Sequence, residues 1–359
     1  MPNELITLAT IIFYLEKIFI NTPFAKSEIL VGQPWESVDE LLPESGVVII
    51  TDDNIRNLYG DKFPDLPVFS VSPGEESKKL SVIEHLAGKL LDSGMDRSGF
   101  ILAVGGGVVC DLAGFLASVY MRGIRCGFVS TSLLSQVDAS TGGKNGVNLG
   151  ATKNMIGTIR QPEFVICDPA MLLTLPEEEY LSGLSELIKT AVIGDKDLFE
   201  IIENSNKEII DRNYDLLTML VTKAVSFKSM VVSEDEKETG LRRILNFGHT
   251  YGHAIELQRS VKHGFAVASG MELASEFSCE KGFVSAEEKD RIIYLLNRFS
   301  LLDKQYISEK AMEELIIHDK KKTGSSIHFV FTEGIGQASV KKINVSEIMS
   351  FYKKFRDKS

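Results

Sequence analysis

The chain has 359 residues, with 39 Lys+Arg against 50 Asp+Glu and a formal net charge of −11. Hydrophobic residues at 44% and charged residues at 25% are ordinary for a folded protein and exclude a disordered one. The acidic balance argues against a nucleic-acid partner, which needs a basic surface, but a few Lys in a closed pocket can still hold a small anion.

At about 150 residues per domain the length suggests two domains, with one large core or a core in each. The four cysteines, Cys110, Cys126, Cys167 and Cys279, form no CxxC pair, which suits a reducing compartment and disfavours a thiolate zinc site. The apolar stretch Ile6 to Ile20 contains Glu16 and Lys17 and falls short of the roughly 20 residues that cross a bilayer. No Lys or Arg precedes it, as a secretion signal would require. A soluble, cytoplasmic protein without a membrane partner is expected.

In chain order, Gly46 to Thr51 reads as a buried strand and Asp53 to Tyr59 as a helix. A strand at Leu66–Val71 and an amphipathic helix at Leu80–Ser93 follow. Phe100–Val104 is a third strand that runs into three glycines and then a helix, with further strands at Cys126–Thr131 and Phe164–Cys167. This alternation implies a Rossmann-like parallel sheet with ligands at its carboxyl edge. After Leu175-Pro176 helical periodicity dominates, as in Leu216 to Val232, up to about Phe299. The expected division is an α/β domain at 1–176 and a mostly helical domain at 177–359, with a short strand at Ile327–Phe331 and a frayed basic end at Lys353 to Arg356.

Three segments carry chemistry. Gly105-Gly-Gly-Val-Val-Cys-Asp111 joins a strand to a helix, where bare backbone and free N–H groups suit a phosphate. Cys110 replaces the third glycine of the dinucleotide fingerprint, and no acid follows about 20 residues on, so Asp52 or Asp53 is the alternative ribose partner. Gly142-Gly-Lys-Asn-Gly146 and Gly150-Ala-Thr-Lys-Asn154 put Lys144 and Lys153 on glycine-rich connections, a pairing suited to phosphate or carboxylate. Asn246 to Glu256 places His249 and His253 four residues apart on one helix face, with Glu256 three further on and His263 soon after. Such a set suits zinc or a similar divalent ion. Spacing nominates His249, His253 and Glu256, while Glu186, which shares a helix face with Lys189, is a competing carboxylate; the residues alone leave both sets open.

Together these segments resemble the 3-dehydroquinate synthases, a family of sugar-phosphate cyclases. The resemblance runs in consistent order through Gly74-Glu-Glu-Ser-Lys78, Gly105–Asp111, Tyr120-Met-Arg-Gly123, Ser135-Gln-Val-Asp138 and Gly142-Gly-Lys144. It continues through Lys153–Gly157, Gly183-Leu-Ser-Glu186, Leu245–Glu256, His263-Gly and Asp319-Lys-Lys321, covering roughly residues 45 to 345. It implies an NAD domain joined to a helical metal domain, with the active site in the cleft. It also implies NAD+, a Zn2+ or Co2+ ion held by Glu186, His249 and His263, and a homodimer.

By the same resemblance, Asp52, Asn54, Glu75, Lys78, Gly106, Gly107, Asp111, Thr131, Ser132 and Thr174 fall at NAD positions, joined by Lys144 and Lys153. Arg122, Asp138, Lys144, Lys153, Asn154, Lys189, Lys228, Arg242, Asn246 and Lys320, or its neighbour Lys321, fall at substrate and phosphate positions, and His253 at an acid/base position. Cys110 and Ser132 depart from the family's usual glycine and threonine beside the nucleotide. The implied reaction turns 3-deoxy-D-arabino-heptulosonate 7-phosphate into 3-dehydroquinate and phosphate, with NAD+ recycled in each turnover and the substrate's phosphate accepting a proton. The rivals are another sugar-phosphate cyclase and a metal-dependent polyol dehydrogenase with net NADH release. The lysine cluster argues against the second, because an uncharged polyol needs no cationic cage.

Overall fold

The continuous apolar runs of the first half become interior strands, because a strand covered on both faces has no solvent side to keep polar. The structure, a computed structural model, describes residues 15–23, 25–150, 152–303, 305–319 and 326–358, with backbone alone at 318 and 319. An antiparallel hairpin of β1 (Glu16–Asn21) and β2 (Lys26–Val31) leads into β3 (Val47–Asp52), α1 (Asp53–Tyr59), β4 (Val68–Val71), α2 (Leu80–Asp92), β5 (Phe100–Gly105), α3 (Gly107–Val119) and β6 (Arg125–Ser130). A second hairpin, β7 (Lys144–Leu149) and β8 (Thr152–Ile159), precedes β9 (Phe164–Cys167).

The seven-stranded sheet has the order β1-β2-β9-β6-β5-β3-β4, and every pairing except β1 with β2 is parallel. From β3 the chain moves outward to β4, whereas from β5 it moves the other way to β6. The crevice between β3 and β5 is therefore a topological switch point, where doubly wound sheets bind ligands.

The helical part holds α4 (Glu177–Gly194), α5 (Lys196–Asn204), α6 (Asn206–Ile210), α7 (Tyr214–Glu234), α8 (His249–Arg259), α9 (His263–Glu280), α10 (Ala286–Arg298) and α11 (Glu309–Asp319). A last hairpin, β10 (Ser326–Thr332) with β11 (Ala338–Asn344), leads to α12 (Val345–Arg356). α7 is long and apolar enough to cross a membrane by length and composition, but residues such as Leu217, Val221, Val225 and Val232 are buried against β1, α4 and neighbouring elements. That is the arrangement of a core helix.

One buried apolar cluster runs from the α3 face of the sheet through α4, α7 and α9 to α12, so the two halves share a core. A smaller cluster around Trp35, Phe100 and Phe164 fills the other face of the sheet.

Two sequence expectations, the glycine-rich loops and the frayed basic end, need correction, and β1 and β11 add to the expected strands. The described part of the Ile6–Ile20 stretch is the edge strand β1, whose Ile20 is buried. The glycine-rich connections holding Lys144 and Lys153 are the strands β7 and β8, and not loops. Their glycines allow close approach: a Cβ on Gly157 would lie 2.3 Å from the Asn145 carbonyl oxygen, and one on Gly114 of α3 would lie 2.1 Å from Asn145 Oδ1. The basic end is the last turn of α12, with Phe351 and Tyr352 buried beside it. Finally, β11 went unread because its Lys341-Lys342 pair breaks the apolar alternation.

Candidate active site

The carboxyl ends of the parallel strands open onto a cleft of about 1250 Å³ between the sheet and the helical part. Ten of the residues expected at NAD positions line it, and so does Lys153, whereas Lys144 does not. Asp52 ends β3 and caps α1 by accepting from the Ile55 N–H, with its carboxyl pKa raised by burial. Gly106 caps α3 and brings unpaired N–H groups to the cleft, the ready anion site of a helix start. A Cβ on Gly105 would sit 2.5 Å from that of Val109, so only glycine lets α3 begin this close to its strand. Lys78 bonds Asp111 Oδ2 at 2.6 Å and also Asn154, tying the tip of the β7–β8 hairpin to the start of α3. Burial raises the Asp111 carboxyl to about 6 despite that lysine. Ser132 lines the cleft, whereas Cys110 is buried with Sγ 3.7 Å from the Gly105 carbonyl and takes no part in the lining.

Across the cleft, Glu186 on α4, His249 at the start of α8 and His263 at the start of α9 converge, with ligand atoms all within 4.8 Å of one another. Three helices reach this proximity because glycines remove the side chains between them. A Cβ on Gly264 would lie 2.0 Å from the Ser182 carbonyl oxygen, and one on Gly270 would lie 2.0 Å from that of Gly248. Gly248 also holds φ +78°, a left-handed turn that starts α8 at His249. Glu186 Oε1 lies 3.2 Å from His263 Nε2 and 3.8 Å from His249 Nε2.

This geometry fits a divalent cation. Both Glu186 oxygens are fully buried and lack a well-formed hydrogen bond, although Lys189 pairs with one of them. His249 Nδ1 faces the Phe247 carbonyl at 3.1 Å and His263 Nδ1 faces Glu256 at 3.1 Å, so both rings turn Nε2 toward Glu186. Burial opposes a charge on His263, yet its bonds to Glu186 and Glu256 raise its pKa to about 10, so without metal it is an imidazolium. His249, buried beside Lys189, is pushed well below the ordinary histidine value. His253 stands edge-on to His249 with ring centroids 5.1 Å apart, and lines the cleft.

Behind the triad lies a buried chain of charges. Lys189 pairs with Glu186 and stands 3.8 Å from Asp138 Oδ2, while Lys228 pairs with Asp138 Oδ1. Burial works against ionised Asp138, but Lys228 and Lys189 hold its pKa below the usual value. Burial lowers Lys228 to about 8, a shift that Asp138 only partly offsets. Arg242, buried, donates to the Glu236 carbonyl at 2.6 Å and the Gly142 carbonyl at 2.9 Å. Lys144 and Asn246 both bond Glu238, whose carboxyl is pulled down mainly by Lys144 against its burial.

One expected residue is not brought to this centre. Arg122 is exposed just past the far end of α3, about 20 Å from Gly107 at 1.5 Å per helical residue. Lys320 and Lys321 lie outside the described residues. Conversely, Glu238 was missed: it ends the run Ser233-Glu-Asp-Glu-Lys-Glu238, which reads as a solvated acidic turn. Glu256, nominated by spacing as a ligand, instead bonds His263 and Lys153.

A doubly wound nucleotide sheet facing a helical Glu-His-His centre across a charged cleft defines the class, the sugar-phosphate cyclase fold. The family models of the 3-dehydroquinate synthase N-terminal and C-terminal regions match residues 68–182 and 183–322. The chain belongs to the 3-dehydroquinate synthase family. It is 41% identical over 330 residues to a 3-dehydroquinate synthase of Thermoanaerobacter sp., covering 89% of this chain and 93% of that one. A 2-deoxy-scyllo-inosose synthase solved with carbaglucose-6-phosphate, NAD+ and Co2+ is 26% identical with TM-score 0.84, covering 95% and 99% of the two chains. A 2-epi-5-epi-valiolone synthase of Streptomyces hygroscopicus, solved with NAD+ and Zn2+, shares the fold at 23% identity and TM-score 0.83, with 93% and 97% covered.

Proposed function

We propose that this protein converts 3-deoxy-D-arabino-heptulosonate 7-phosphate to 3-dehydroquinate and phosphate, using NAD+ without net consumption and a Zn2+ or Co2+ ion. The observation that carries the reading is the buried Lys189–Asp138–Lys228 chain abutting the Glu186, His249 and His263 cluster, a cage for an anionic sugar beside a metal position. Glu186, His249 and His263 would hold the metal, and the cleft at the start of α3 would hold NAD+. When bound, NAD+ supplies hydride acceptance and return at a ring hydroxyl, and the metal supplies Lewis acidity there.

The chain's own residues do the rest. Lys228, Arg242, Lys144 and Asn246 hold the substrate's carboxylate and phosphate, fixing the pose of the reacting atoms. Asp138, kept ionised by two lysines, accepts from a sugar hydroxyl. Lys153 and Asn154, on the hairpin that lines the cleft, cover the junction of nucleotide and sugar. His253, on the cleft wall beside His249, is the group placed to move a proton. Residues 1–176 act as the nucleotide domain and 177–359 as the metal and substrate domain. A homodimer belongs to this reading, since Arg122, remote from its own cleft, serves a substrate only from a second copy. The free, mostly buried cysteines suit a cytoplasmic enzyme with neither nucleic acid nor membrane as partner.

The test is phosphate release from the heptulosonate phosphate, followed together with absorbance at the NADH band. Phosphate is expected to accumulate with no net NADH; stoichiometric NADH growth would move the protein to the dehydrogenases.

The pH profile adds a second check. Lys228, lowered to about 8, holds its charge below that value and loses it above. The kcat/KM for the heptulosonate phosphate is therefore expected to fall through an alkaline limb near pH 8. A profile flat to roughly pH 10 would remove Lys228 from substrate binding.

A further inference from the structure

Glu256 touches one residue of the metal set and one of the nucleotide set. It lies two turns beyond His249 on α8, nearly buried, with its two oxygens directed to different halves of the molecule. Oε2 faces His263 Nδ1 at 3.1 Å, and Oε1 accepts from Lys153 Nζ on β8.

A neutral imidazole carries one N–H and one lone pair, and the partner of one nitrogen decides the role of the other. In the neutral form that binds a metal, with Nδ1–H given to Glu256, the lone pair of His263 falls on Nε2, the nitrogen 3.2 Å from Glu186 Oε1. His249 has the same orientation set by the Phe247 backbone carbonyl, a partner that no side-chain change removes. For His263 the partner is a carboxylate that Lys153 shares.

We propose that Glu256 is a positioning residue: it selects the nitrogen that His263 presents to the metal and ties that selection to Lys153 across the cleft. This rests on the metal reading above. The isosteric variant Glu256→Gln isolates it. Its amide must aim NH2 either at Nδ1 or at the Lys153 ammonium. The first forces the hydrogen onto Nε2 and removes the lone pair meant for the metal. The second sets donor against donor, so with Lys153 in place the first prevails.

The experiment measures Zn2+ affinity of the full chain by competition with a chromogenic chelator, without nucleotide or substrate. Glu256→Gln is expected to bind about 10–100-fold more weakly, the usual cost of losing a partner behind a ligand histidine. Lys153→Met alone should stay within about twofold of the parent, since it removes nothing from His263. The double variant Lys153→Met/Glu256→Gln should recover most of the loss, because the amide can then turn its oxygen to Nδ1 unopposed. A merely structural Glu256 predicts no recovery from a second substitution.

Glu186→Ala and His263→Ala are the controls. Parent-like affinity in both would overturn the metal reading itself. Loss in both with parent-like Glu256→Gln would overturn the positioning role alone, and a double variant as weak as Glu256→Gln would overturn the tie to Lys153. Metal-free melting curves verify that each variant folds. Glu256→Asp, too short to reach both partners, repeats the test by losing affinity if the amide variant does not fold.

Discussion

Glu186→Ala and His263→Ala are each expected to lose bound metal on dialysis, read by elemental analysis, and to lose turnover by several orders of magnitude. Together with His249, Glu186 and His263 offer ligand atoms from three separate helices, so a metal held there also pins α4, α8 and α9 together. Loss of a ligand should accordingly lower the melting temperature measured with metal present. Glu186→Ala carries an added penalty without metal. It leaves Lys189, only 2% exposed, with Asp138 at 3.8 Å as its remaining partner, and stripping a partner from a buried charge costs about 3–5 kcal/mol. His263→Ala instead strips a partner from Glu186 and Glu256, each of which keeps a lysine, Lys189 and Lys153. His253→Ala should retain metal and lose activity, the pattern of a proton-transfer residue. Near-stoichiometric metal in Glu186→Ala with none in His253→Ala would restore the one-helix ligand set.

Lys153→Ala is expected to lower kcat/KM by about 100-fold or more while leaving the melting temperature nearly unchanged, since orientation of reacting groups carries factors of this size. Lys153 is 42% exposed on β8 at the cleft mouth, and its partner Glu256 keeps His263 when the lysine is removed. The lysine end of the pair is exposed and Glu256 stays paired with His263, so the loss of stability should be close to the roughly 0–1 kcal/mol of a surface ion pair. Steady-state kinetics beside thermal unfolding decide the matter, and a large stability loss with ordinary turnover would make Lys153 a structural residue.

Much of the sheet was legible in the sequence because buried parallel strands are continuous apolar runs. Phe164–Cys167 and Asp53–Tyr59 were located to the residue. The β7–β8 hairpin was not, because its strands carry Gly146 and Gly157, where close backbone packing forbids side chains, beside the polar Asn145, and such residues read as loop. The chemistry-bearing residues were also legible as types: glycines after β5, two histidines on one helix face, and lysines with no obvious surface role.

The sequence by itself determined the periodicity that makes each element, the residue types that suit phosphate and metal, and the order that resembles one family. Which of these residues meet is a matter of tertiary structure. Spacing put Glu256 on the face of His249 and His253, but helix packing brought Glu186 from 63 residues upstream to His249 instead. The glycines at 248, 264 and 270 made that approach possible by removing the Cβ atoms that would have held the helices apart. Charge followed the same rule: Asp138, Lys189 and Lys228 are unremarkable in the chain, and become a buried site only where α4, α7 and the turn after β6 close on one another.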